Sequence, residues 1–478
     1  MDVYARVREK YHTPRLERGE LARNSSAERT RFPVVQRPML HGVVVLDLSR
    51  VLAGPYATQL LVDLGARVIK VESIQGDDTR AWGPPFAGEE SGYFLSVNRG
   101  KESLAVDLKR EEGRALVQGL AGRADVLVEN FKRGDLVRYG LDYAPLARTN
   151  PGLIYTSIRG FGEQGPRADQ PGYDAALQAL TGIMAMTGMP GAPPVKLGVA
   201  WIDVLTGLHS AVAILAALHE RERTGRGKRL DLSLFEVGLA SLVNQAQGTL
   251  ISGHAPTKRG SAHPSIVPYQ AFETADAPIM LTVGNDAQFA RACHVLSLGE
   301  LADDPRYREN RDRVEHRDLL VPIIQERLRT ASRAVWLDRF RAANVSCTPV
   351  LDLAEALRDP QAEALGTIGH YEHPTAGTVP YVRSPLRHVT ERGDRSESAV
   401  AAPDARPPRL GEHGKRIALE DLGLSDDAWQ TLLAQGRGGT AKRGRRPLSV
   451  ACFGRGGVRW DLREQVVKRA TSNFGVRS

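Results

Sequence analysis

Cysteine is scarce in this 478-residue chain: Cys293, Cys347 and Cys452 are odd in number and far apart. That excludes a disulfide framework and the short Cys/His spacings of a metal site, and it fits a reducing cytosol. No run approaches the roughly 18–20 uninterrupted apolar residues a membrane span needs. The N-terminal residues carry no apolar signal region, and Asp2, Glu9, Glu17, Glu20 and Glu28 argue against a transit peptide. The apolar (42%) and charged (25%) fractions sit near the globular average, which excludes a fibrous or wholly disordered chain. At about 100–200 residues per domain, the length predicts two or three domains.

The net charge of +8 invites a nucleic-acid reading, but the excess is at the ends. Residues 1–40 carry +4 and residues 437–478 carry +9, so 41–436 carries −5. Arg437, Lys442, Arg443, Arg445 and Arg446 stand among Gly, Thr and Pro with no apolar period. Both ends, 1–38 and 437–478, therefore read as disordered basic extensions, and nucleic-acid binding is not expected as the main role.

Between them, short apolar runs alternate with helical patterns. Runs at 43–47, Arg67–Glu72, 104–107, Val126–Glu129 and 153–157 read as strands. A Gly54-Pro55 turn, then helices over 56–64 and 110–122, connect them. Alternation of this kind predicts right-handed β-α-β units and an open, mostly parallel sheet. Helices are expected over 173–187, 203–221 and 235–251, with a strand at Arg229–Ser233 and a helical terminus over 410–435. Residues 39–255 are read as the first part of a large domain, 256–345 as a small α+β domain, and 346–436 as a segment returning to the large one.

Several familiar motifs fail on inspection. Gly160-Phe161-Gly162-Glu163-Gln164-Gly165 matches a dinucleotide fingerprint, but Pro166 follows, no helix opens and no acidic residue ends a strand about 20 residues on. It reads as a loop making a close backbone approach. His316-Arg317-Asp318 resembles a kinase catalytic loop, yet Ile323 stands where Asn is required. His219-Glu220 lacks a second His, since position 223 is Arg. What remains is acidic residues at helix starts. Asp203 precedes Val204, Leu205, Leu208, Val212 and Leu215, and reads first as an N-cap. The same physics permits a chemical role: a helix N-terminus favours the ionised carboxylate, and neighbouring amides can stabilise an oxyanion. Asp174 opens another helix and reads more strongly still as a cap. Taken alone, these features stop at an α/β protein, an enzyme by its turns.

The blocks themselves carry a resemblance. Val45-Leu46-Asp47-Leu48-Ser49-Arg50-Val51-Leu52-Ala53-Gly54-Pro55 and Leu64-Gly65-Ala66-Arg67-Val68-Ile69-Lys70-Val71-Glu72 resemble the opening of class III coenzyme A transferases. Asp125-Val126-Leu127-Val128-Glu129-Asn130-Phe131, Pro171-Gly172-Tyr173-Asp174, Asp203-Val204-Leu205-Thr206-Gly207 and Leu410-Gly411-Glu412-His413 continue it in order over roughly 40–436. Gly76-Asp77-Asp78-Thr79-Arg80-Ala81-Trp82-Gly83-Pro84-Pro85-Phe86 and Ala262-His263-Pro264-Ser265 are most similar to the succinyl-CoA:glutarate branch, whose relatives use malate, itaconate, mesaconate or other acids. Arg133 departs from the family's Asn-Phe-x-Pro-Gly.

The resemblance implies a Rossmann-like large domain, a small domain, and a homodimer of interlocked chains. It implies Asp203 as the nucleophile and coenzyme A contacts at Val51, Leu52, Ser73, Val106, Asp107, Leu108, Lys109, Asn130, Phe131, Lys132, Arg138, Pro171, Gly172, Tyr173 and Asp174. Ser73 replaces an Arg frequent in relatives, and Lys109, Lys132 and Arg138 are the phosphate cations expected. Arg80, Arg99 and His263 are candidates for the second carboxylate of a dicarboxylate acceptor. Acyl-CoA and a free acid are the expected partners, with no resident cofactor, metal or membrane, in the cytoplasm. The same fold hosts 2-methylacyl-CoA racemases, which need a His in the segment before Asp174; residues 157–174 contain none. A non-enzymatic CoA-binding protein is the third reading.

Overall fold

The structure, a computed structural model, describes residues 38–386 and 406–435. The tail expected over 437–478 and the extension expected at the N-terminus, up to residue 37, lie outside the described residues.

Six parallel strands form the central sheet. In chain order, β1 (Val44–Asp47) leads into α1 (Ala53–Asp63), then β2 (Arg67–Glu72), β3 (Glu102–Ala105), α2 (Glu111–Ala121), β4 (Val126–Glu129) and β5 (Ile154–Arg159). Next come α3 (Asp174–Leu180), the long α4 (Trp201–Thr224), β6 (Arg229–Ser233), α5 (Leu234–Ala240) and α6 (Val243–Ser252). The spatial order is β3-β2-β1-β4-β5-β6, so the chain starts in the middle and winds outward twice. Parallel strands covered on both faces read as continuous apolar runs. On β1, Val45 belongs to the core under α1 and α4, while Leu46 belongs to the opposite core, under α2. Val126 and Val128 against Leu127 repeat that division on β4. The fold is α/β with a parallel central sheet.

Boundaries differ where local chemistry decides them. Gly54 and Pro55 sit inside the first turn of α1, because a proline there lacks only an amide that has no helical partner. The helix expected over 173–187 is two, Asp174–Leu180 and Ile183–Met186, broken where Gly182 (φ +86°) turns the chain. The one expected over 235–251 is α5 and α6, broken at Ser241 and Leu242.

A second, antiparallel sheet, β7 (Tyr269–Phe272), β8 (Ile279–Thr282) and β9 (Cys347–Pro349), has its own core around Phe289, Trp336 and Phe340. Its third strand lies past the boundary expected at 345. Cys-Thr-Pro has no strand period, and only pairing with β8 makes it a strand. Beyond it, β10 (Ile368–His373) and β11 (Gly377–Val382) form a hairpin packed on Leu95. The returning residues Ile417, Leu422, Trp429 and Leu432 complete the core under α2. Ser103 anchors them: its hydroxyl accepts from the Gly411 amide, and its amide donates to His413 Nδ1.

By length and composition α4 is apolar enough to cross a membrane, at a mean hydropathy of 1.7. In the fold it lies along α1. A Cβ on Gly207 would meet the Ala53 carbonyl oxygen at 2.8 Å and the Tyr56 ring at 2.9 Å. Glycine to alanine inside a helix ordinarily gains about 1 kcal/mol. Here the clash is with backbone, so Gly207→Ala is expected to lose about 1–3 kcal/mol instead. Urea unfolding reads the sign, and a stabilised variant would show that α1 and α4 are not in close approach.

Candidate active site

In a doubly wound sheet, ligands settle beyond the strand C-termini where the strand order reverses. That point lies between β1 and β4. The chain leaves β1 through Ser49, Arg50, Val51 and Leu52, and leaves β4 through Asn130, Phe131 and Lys132. Asn130 joins the two exits: its Oδ1 accepts from the Arg50 amide at 2.9 Å, and its Nδ2 donates to the Arg50 carbonyl at 2.8 Å. Val51 follows at φ +69°, a region β-branched residues avoid. α1 then begins with no side chain capping its first amides.

Below this loop lies a floor of buried ion pairs. Asp47 pairs with Lys101 at 3.1 Å and Asp77 with Lys70 at 2.9 Å, all four side chains fully buried. Burial pushes Lys101 down to about 8 despite the Asp47 charge beside it. Burial alone would raise Asp77, yet Lys70 and the Thr79 donors bring its carboxyl down to about 2.

Asp203 enters from the other side on α4. It is not the cap expected from the sequence: Ala200 is the N-cap and Asp203 the third helical residue. Asp174, the first residue of α3, does the capping instead. Its Oδ1 accepts from the amides of Ile202 (2.8 Å) and Asp203 (3.2 Å), and its Oδ2 from Gln178 Nε2 (2.6 Å). The Asp203 carboxylate has no hydrogen-bond or ion-pair partner among the described residues. The helix start was expected to favour its ionised form, but those amides already serve Asp174. Burial, reinforced by the Asp174 charge, pushes Asp203 up to about 7. The Tyr93 hydroxyl, raised to about 12 by burial and then by Asp203, Asp174 and Asp77, registers all three acids.

Asp203 shares one cavity with Val51, Leu52, Asn130, Phe131, Lys132, Pro171, Gly172 and Tyr173. Ser73, Val106, Asp107, Leu108 and Lys109 line a second cavity, and Arg50 and Phe131 border both. Gly160 and Gly172 make the close approach expected of the glycine loop: a Cβ on Gly160 would meet Gly172 Cα at 2.6 Å. Arg138 lines neither cavity and pairs with Asp135.

The three acceptor candidates do not join Asp203. Arg80 grips Glu72 through two hydrogen bonds (2.7 and 2.8 Å), donates to the Pro408 carbonyl and lies over the Phe94 ring. Arg99 is buried against Asp63 and the Tyr381 ring. His263 accepts from the Ser265 amide and packs by Tyr269. Sequence reasoning missed Arg50, although it stands within the first matching block. It also missed Arg159, which lines the Asp203 cavity while pairing with Glu129 at 3.0 Å. Neither position carries a periodic signal, because Arg50 lies in the turn after β1 and Arg159 is the last residue of β5.

A carboxylate without a partner among the described residues thus shares a cavity with an uncapped helix start at the reversal point of a doubly wound α/β sheet. Comparison makes this specific. The chain matches CoA-transferase family III over residues 40–414. It is 44% identical over 393 residues to succinate–glutarate CoA-transferase of Agrobacterium fabrum, covering 80% of this chain and 96% of that protein. It is 42% identical over 398 residues to succinyl-CoA:glutarate CoA-transferase of Homo sapiens, covering 83% and 89%. The crystal structure of a CAIB/BAIF family protein from Brucella suis is similar with a TM-score of 0.71 at 43% identity, covering 81% of this chain and 100% of that one. The chain belongs to CoA-transferase family III.

Proposed function

We propose that this chain transfers coenzyme A from succinyl-CoA to glutarate or a closely related dicarboxylate, with Asp203 as the covalent carrier. The observation that carries the reading is the partnerless Asp203 carboxylate in the cavity of the Val51 loop. In the proposed cycle that carboxylate attacks the thioester carbonyl, the C–S bond breaks, and coenzyme A thiolate leaves a mixed aspartyl–succinyl anhydride. The thiolate attacks the aspartyl carbonyl, releasing succinate and forming an aspartyl thioester. Glutarate attacks that thioester, expelling the thiolate. The thiolate then takes the glutaryl group from the second anhydride and restores Asp203. No proton, metal or nucleoside triphosphate enters the balance, and a carboxylate suits acyl groups that must stay activated. Water must be kept out, since hydrolysis would discharge each intermediate. In this reading Lys132 and Lys109, which line one cavity each, serve the coenzyme A phosphates.

The working form in this reading is a homodimer of interlocked chains in the cytoplasm. Association of two chains, though neither their interlocking nor the compartment, draws support from α6, which has no buried residue and exposes Val243 (69%), Leu250 (80%) and Ile251 (78%). Exposed apolar side chains gathered on one helix mark an interaction surface.

The test is an acceptor screen with succinyl-CoA. A dicarboxylate's second charge needs a partner, since burying it unpaired costs several kcal/mol. Glutarate, and succinate followed by isotopic label because its exchange is otherwise degenerate, are therefore expected to be accepted much better than valerate and butyrate, and succinyl-CoA alone should leave a hydroxylamine-sensitive adduct on the Asp203 peptide. Equal use of the monocarboxylates would overturn the dicarboxylate assignment. Epimerised 2-methylacyl-CoA without a new thioester would indicate the racemase.

A further inference from the structure

The turn between β1 and α1 is held by side chains at every step. Ser49 donates its amide to Asp47 Oδ1 (2.9 Å), and its carbonyl accepts from Lys70 Nζ (3.0 Å). Both polar groups of Arg50 go to Asn130. The Val51 amide donates to the two Asp77 oxygens at 3.3 and 3.4 Å. Five consecutive backbone groups thus find side-chain partners from β1, β2 and the turns that follow β2 and β4. They converge on Val51, whose left-handed backbone costs on the order of 1–3 kcal/mol and persists only where its surroundings impose it. This turn sets where Leu52 and Ala53, the uncapped start of α1, stand in the cavity of Asp203.

We propose that Asn130 acts as a positioning residue: its carboxamide, with Asp77 behind it, holds the Arg50–Val51 peptide in the left-handed turn that shapes one wall of the Asp203 cavity. The inference rests on the transferase reading above. The carboxamide mimics a strand neighbour, donating and accepting with the same residue, so one donor and one acceptor site of Asn130 are committed to holding the Arg50 peptide. Asp77 cannot shift to compensate, because Lys70 and Thr79 fix it from the far side.

The experiment is a kinetic rescue in the full chain. Asn130→Ala removes both bonds to Arg50 and is expected to lower kcat for succinyl-CoA and glutarate by about a hundredfold, the scale of a misplaced reacting group. KM for succinyl-CoA should change little. Adding Val51→Gly should recover most of that loss, because glycine enters the left-handed region at no steric cost. Asn130→Ser, too short to span both Arg50 groups, should show the same pattern and serves if the alanine variant is poorly folded. A ligand role predicts the reverse: raised KM, preserved kcat and no recovery from glycine. Any of those three results overturns the proposal. Wild-type enzyme with no transfer to any acid would instead overturn the transferase reading, which separates the two failures.

Discussion

Replacing Asp203 by asparagine is expected to abolish transfer and, above pH 7, to stabilise the protein. The first effect follows from loss of the attacking carboxylate, and the side chain's shape is otherwise nearly kept. Turnover above a trace, with deamidation to Asp excluded by mass spectrometry, would sink the covalent route. The second follows from the raised pKa, about 7 against an ordinary 3.8. Folding favours the protonated acid, so the wild type is relatively most stable below the unfolded value. It loses stability as pH rises from about 3.8, and the loss is complete above about 7. At roughly 1.4 kcal/mol per pKa unit, the full effect is a few kcal/mol. Asparagine escapes it, so its advantage in thermal melts should grow from pH 4 to pH 8. In the wild type, kcat/KM for succinyl-CoA should rise with pH through about 7 as the free carboxylate ionises. A flat profile together with no stabilisation would mean that Asp203 is not held in a desolvated, acid-repelled site.

Arg80→Met is expected to damage the fold and leave acceptor choice alone. The Glu72 carboxylate is almost entirely buried and takes both Arg80 bonds, the Ser103 hydroxyl and the Asp77 amide. Removing the guanidinium takes away the principal opposite charge on that buried acid and leaves it Lys70 and two neutral donors, a loss of about 3–5 kcal/mol. It also frees the Pro408 carbonyl, loosening the returning segment. Chemical denaturation measures the loss, and the Arg80→Met/Glu72→Gln pair should recover part of it. The glutarate-to-valerate ratio of the surviving enzyme should equal the wild type's. A collapse of that ratio with stability intact would put Arg80 in contact with the acceptor after all.

Much of the architecture was legible because it is written in local periods. Apolar runs bounded by turns give β1, β2, β4 and β5 nearly to the residue, and their alternation with helices fixes a parallel sheet. The family blocks point to Asp203 and to the two strand exits. Three-residue β9 was not legible, since only its partner makes it a strand.

The chain's own order of residues determined its family, its mostly parallel sheet, and the acid at the head of α4. Tertiary structure alone decided what that acid is. Asp174, 29 positions earlier, takes the helix amides that Asp203 was expected to use, and burial then raises its pKa. Tertiary structure likewise turned Arg80 and Arg99 from acceptor candidates into buried partners of Glu72 and Asp63. The physical reason is common to both. A charged side chain's role is set by which opposite charge or donor reaches it out of water, and those partners come from distant parts of the chain.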